Sequence, residues 1–152
     1  METALSGIMV GGIMLTLPQL LMTASAFVIF FLGSIHLLYT FHGNKLYPRD
    51  THLERQMQLV SPVISKQTTM WNAWIGFNAS HSYGAIFFGL IYGYLALVHA
   101  DLLFNSLYLL FIGLLLLIGY VFLAKKYWFS IPLVGVLLST ACYVGAVVAN
   151  WI

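Results

Sequence analysis

Four side chains carry what chemistry this sequence has: His36, Asn78, His81 and Ser82, each set inside a long uncharged stretch. Polar groups at membrane depth are costly to bury, so they mark sites by default. An imidazole can donate and accept hydrogen bonds, move a proton or ligate a metal. An amide offers two donors and an acceptor. The same stretches contain no Asp, Glu, Lys or Arg. That excludes carboxylate-bridged di-metal centres, acidic proton relays, charge-paired transporter gates and an Arg voltage sensor. Ser82 adjoins His81, but neighbouring helical residues point about 100° apart and do not make a nucleophile–base pair. Paired carboxylates, a Gly-rich phosphate loop and Cys-x-x-Cys are all missing. No catalytic residue is assigned, and the sequence leans away from an enzyme.

The elements that must position these residues follow from the charges. The 152 residues are 61% apolar and 7% charged, against roughly 25% charged in soluble domains. Glu2, Lys45, Arg49, Asp50, Glu54, Arg55, Lys66, Asp101, Lys125 and Lys126 divide the chain into uncharged runs. A spanning helix needs about 20 apolar residues. The runs predict helices over 18–41, 70–98, 103–124 and 129–151, an all-α, four-helix transmembrane bundle in one domain, 1–152. Pro18 breaks the run 3–44, so residues 5–17 are read as a short apolar segment at the membrane surface or against the bundle. Two close spans within 3–44, five in total, are the rival. A cleaved signal peptide is not expected, because Glu2 stands where a basic segment should be.

All six Lys and Arg fall in 42–68 or at 125–126. Cytoplasmic loops carry such an excess, so loop 42–68 is expected to be cytoplasmic and both termini periplasmic. Trp71, Trp74, Tyr127, Trp128 and Trp151 fit interfacial belts. The net charge of +2 is too small to suggest a nucleic-acid partner. Within the loop, Tyr47-Pro48 marks a turn, and Thr51 with Glu54 has capping-box spacing. Leu53, Met57, Val60 and Ile64 then form the stripe of a short amphipathic interfacial helix, ended or kinked by Pro62. That helix is read as a tether, with a lid or an anionic-lipid contact as the alternative. His52 should be solvated.

Helices associate in lipid through small residues and interhelical hydrogen bonds. Ala26, Gly33 and Thr40 supply them on the first span, Ala85, Gly89 and Gly93 on the second. Gly135, Ser139, Cys142, Ala146 and Ala149 do so on the fourth. These three spans should make the tight centre. The Leu-rich third span should face mostly lipid, or an oligomer or larger complex. His36 and His81 lie about 9–10 Å from the same interface at 1.5 Å per residue, on faces shared with the small residues. A cluster of His36, Asn78, His81 and Ser82 is therefore expected between the first two spans.

Three readings of the cluster stay open. It can be hydrogen-bonded glue between neutral groups. It can bind the polar head of a small hydrophobic ligand such as a lipid, quinone or isoprenoid. Or His36 and His81 can be axial haem ligands, although two histidines underfill a zinc site. His99 beside Asp101 is read as a hydrated turn.

The stretches Gly33-Ser-Ile-His-Leu-Leu-Tyr-Thr-Phe, Tyr47-Pro-Arg-Asp and Thr69-Met-Trp-Asn-Ala-Trp-Ile-Gly-Phe-Asn-Ala-Ser-His-Ser-Tyr-Gly84 resemble small bacterial inner-membrane proteins of the broadly DoxX-like four-helix group. The resemblance covers roughly the first two thirds of the chain. It implies a bacterial four-helix membrane bundle and transfers no activity. Membrane-associated eicosanoid and glutathione enzymes share the size and span number. Their glutathione site needs several Arg with Asn and Glu along the second helix, and here that helix has none of the Arg or Glu. Membrane lipid, a hydrophobic small molecule, and a second copy or larger complex are the expected classes of partner, with the cofactor unassigned.

Overall fold

The computed structural model describes residues 8–10 and 13–152. Two short antiparallel strands, β1 (Ile8–Val10) and β2 (Ile13–Leu15), precede six helices. These are α1 (Leu17–Phe41), α2 (Thr51–Leu59), α3 (Met70–Val98), α4 (Ala100–Asn105), α5 (Leu107–Tyr127) and α6 (Ser130–Trp151). α1, α3, α5 and α6 are long and apolar enough to cross a membrane. The fold is all-α in its spans, and the protein is an integral membrane protein.

The strand pair stands within the segment expected as a short apolar stretch at the membrane surface or against the bundle. Its register sets Val10 against Ile13, and the intervening Gly11-Gly12 is the composition that two-residue hairpin turns favour. β-branched Ile8, Val10 and Ile13 suit strands. A second span before Pro18 is therefore not formed over 8–10 and 13–15. The rest of segment 5–17 ahead of β1, together with Gly11 and Gly12, lies outside the described residues. Pro18 sits in the first turn of α1, where a missing N–H costs nothing. Gln19 Oε1 accepts from the Thr16 N–H at 2.9 Å, the backward half of a capping box.

The chain forms two compact units, Met1–Phe31 with Ile86–Ile152, and Leu32–Ala85. In the first, parts of all four spans pack around Met22, Ala26, Ile29, Phe88, Leu117 and Tyr143, all buried. A Cβ on Gly89 would meet the Ala26 carbonyl oxygen at 2.7 Å and the Phe30 side chain, so this glycine lets α3 lie directly on α1. The buried stripe of α6 is Val136, Ser139, Tyr143 and Ala146. The expected stripe thus turns by a residue, leaving Cys142 half-buried with a free thiol.

The third span corrects its expectation. α5 buries Leu110, Gly113, Leu117, Tyr120 and Ala124 and so belongs to the packed centre, while Tyr108, Phe111, Leu115, Ile118 and Phe122 stay exposed. Gly113 explains the burial: a Cβ there would sit 2.6 Å from Tyr92 Cζ and against the Tyr143 hydroxyl. Its start also moves. Residues 100–105 form α4, and Ser106 then caps α5 by accepting from the Leu109 N–H at 3.3 Å. His99 shares a hydrogen bond with the Tyr94 hydroxyl at 3.2 Å.

The second unit holds the end of α1, the loop with α2, and the start of α3. Gly43, at φ +82°, supplies the left-handed residue that closes α1. Asp50, not Thr51, caps α2, its carboxylate accepting from the His52 N–H at 2.8 Å. Glu54 instead accepts from the Gln58 amide at 3.2 Å. α2 ends at Leu59, with Val60 extended, because Pro62 disfavours helix at the residue before it. Val60 and Ile64 therefore fall outside the helix. No residue of α2 is buried, and His52 is exposed.

Candidate functional site

The site grows from one mid-helix asparagine. The Asn78 amide donates back to the Trp74 carbonyl, one turn earlier, at 2.8 Å. Such local bonds are the usual recourse of a short polar side chain inside a helix. With its nitrogen fixed there, the amide oxygen points away from its own backbone. It accepts from His36 Nε2 on α1 at 2.9 Å. Trp74 is itself held, its indole N–H donating to the Leu46 carbonyl at 3.1 Å. On α1 the Thr40 hydroxyl donates to the His36 carbonyl at 2.8 Å.

His81, three residues past Asn78, brings its ring to His36 edge to face. The centroids lie 5.7 Å apart at 81° between planes. Both imidazoles and the amide are half-buried. Three of the four expected residues thus meet at the His36 ring. Ser82 is fully buried, but its hydroxyl donates to the Asn78 carbonyl at 2.9 Å. It supports the backbone of the site.

Trp74 and Thr40 are the contributors that residue type did not single out. Trp74 reads as a belt residue and Thr40 as a packing residue. Their signal is the four-residue spacing, Trp74 to Asn78 and His36 to Thr40, at which helical side chains reach a backbone carbonyl.

What the arrangement can do is bounded. No group of three His, Cys, Asp or Glu able to hold a metal occurs among the described residues. A bis-imidazole haem needs its macrocycle between the two rings. His36 Nε2 is engaged by the Asn78 amide oxygen and the rings meet edge to face, so the pair in this arrangement does not fit one. What the geometry offers is oriented hydrogen bonding inside an apolar span. No protein family, curated protein or solved structure matches the chain.

Proposed function

We propose that this integral membrane protein binds a small amphipathic molecule, non-catalytically, with its polar head at His36, Asn78 and His81. A lipid, a quinone or an isoprenoid has the right character. The observation that carries the reading is the Trp74–Asn78–His36 chain of hydrogen bonds. It orients the His36 imidazole within a span that holds no Asp, Glu, Lys or Arg to pair with it, as a recognition group requires and simple helix glue does not. Pockets for such ligands are mostly apolar with a few placed polar groups. Ser82 enters only as support.

The setting is a bacterial inner membrane, on the DoxX-like character of residues 33–41, 47–50 and 69–84. The loop 42–68 lies on the cytoplasmic side and the termini on the periplasmic side, as the positive-inside rule has it. Protein purified in mild detergent should release a stoichiometric amphiphile on extraction and mass spectrometry. His81→Leu should lose it. Unchanged retention in that variant, or a Soret band in the visible spectrum, would reject this reading.

A second reading has its own observation. A shallow apolar groove of about 340 Å³ runs along α5 past Ile112, Leu115, Leu116, Gly119, Tyr120 and Leu123. A neighbouring helix of a larger complex could lie there. An empty site with a stable co-purifying partner would favour it.

A further inference from the structure

The hydrogen bonds of the site fix more than its position; they fix its polarity. The Asn78 nitrogen donates to the Trp74 carbonyl, and a carbonyl can only accept. The atom facing His36 is therefore the amide oxygen, which also can only accept. His36 Nε2 must carry the proton of that 2.9 Å bond. A neutral imidazole has one N–H, so Nδ1 of His36 presents a lone pair.

That lone pair has no partner among the described residues. The ring's hydrogen bond is the one to Asn78, and the His81 ring lies against it edge to face. Nor is Nδ1 sealed inside the protein, for among the described residues the enclosed side-chain polar atom without a partner is Thr23 Oγ1, elsewhere. His36 lies five residues before the end of α1 at Phe41, about 7.5 Å along the axis at 1.5 Å per residue. That depth suits a head group whose tail continues into the acyl region.

We infer that the site selects an amphiphile whose head is a hydroxyl, an alcohol or a phenol including the reduced form of a quinone, donating its proton to His36 Nδ1. Ethers and carbonyl heads of the same shape are disfavoured. They bring an acceptor to an acceptor and leave the lone pair dehydrated and unpaired. Sites built to pair a substrate hydroxyl reject the analogue lacking it. The inference rests on the binding reading above and adds the direction of the hydrogen bond.

Matched probes test it on the full chain in nanodiscs. Farnesol is compared with farnesyl methyl ether, and a long-tailed hydroquinone with its dimethyl ether. Each hydroxyl probe should bind about tenfold or more tightly than its ether, the order of one hydrogen bond and its unpaired alternative. Whichever hydroxyl binds the tighter identifies the isoprenoid or the quinol source. Equal binding of hydroxyl and ether would overturn the acceptor assignment while leaving a ligand site in place. If no probe binds, the binding reading falls and this inference with it. The tautomer is a second readout that needs no variant: in protein with 15N-labelled histidine, His36 should carry its proton on Nε2. A proton on Nδ1 alone would overturn the inference. Asn78→Leu, which frees the ring, should erase most of the hydroxyl preference.

Discussion

Two sets of interhelical polar contacts can be compared within one chain. In the unit Met1–Phe31 with Ile86–Ile152 the polar groups close on each other. The Ser139 hydroxyl donates to the Ser25 carbonyl at 3.0 Å, and the Ser25 hydroxyl meets Ser139 Oγ at 2.8 Å. The Tyr92 and Tyr143 hydroxyls donate to the Leu109 and Leu110 carbonyls at 2.6 and 2.9 Å. Thr23 Oγ1 is the exception among the described residues, buried with no partner. In the unit Leu32–Ala85 the His36–Asn78 pair is oriented with equal care, yet one ring nitrogen is left over. Burial of polar groups in a span is shared by both. What separates glue from a site is unfilled hydrogen-bonding capacity held in a fixed direction.

The comparison can be broken most forcefully at Gly89. Gly89→Ala sets a methyl against the Ala26 carbonyl, a backbone atom that cannot swing aside. The expected loss is about 3 kcal/mol, the upper end of overpacking costs, seen as a lower midpoint of thermal unfolding in detergent. Tyr143→Phe removes the bond to Leu110 and leaves a dry hole beside Gly113. It should cost about 1 kcal/mol, within the usual range for interhelical bonds in membranes, read by the same unfolding measurement. His36→Leu should cost still less, about 0.6 kcal/mol, because leucine suits the span. A loss of stability in that variant larger than that of Tyr143→Phe would make the histidine glue after all. The smallest effect belongs to the loop. Asp50→Ala should shorten α2 at a cost of about 0.5 kcal/mol, the low end for a lost cap, whereas Thr51→Ala should be close to neutral in amide exchange over 51–59.

Most of the spans were legible because charge and length alone define them: 18–41 against Leu17–Phe41, and 70–98 against Met70–Val98. The start of the third span was not. Ser106 ends one helix and caps the next, and nothing in hydropathy marks a break between two apolar stretches. Capping boxes taught a similar lesson. Thr51-x-x-Glu54 has the spacing but stands beside a better cap, the Asp50 carboxylate. Thr16-x-x-Gln19, hidden in an apolar run, forms the side-chain bond back to its own cap residue. Gly11-Gly12 is a hairpin signal, but the apolar run around it is equally what a membrane segment looks like, and that hides the flanking strands.

The meeting of His36 with His81 was legible from depth and face, since antiparallel helices leaving one loop place equal offsets side by side. The role of Trp74 was not, because a backbone carbonyl has no sequence signature of its own. The packing of the third span is hidden for the same reason. Tyr92 and Tyr143 reach α5 through its main chain at Leu109, Leu110 and Gly113, and a Leu-rich surface does not announce that.

The central claim is that the open capacity at His36 holds a ligand and the closed contacts do not. Amphiphile bound per chain after purification in mild detergent, compared between His36→Leu and Ser139→Ala, tests it most directly. The account predicts that His36→Leu loses the amphiphile while Ser139→Ala keeps it at the wild-type ratio. Equal retention in both variants would contradict it.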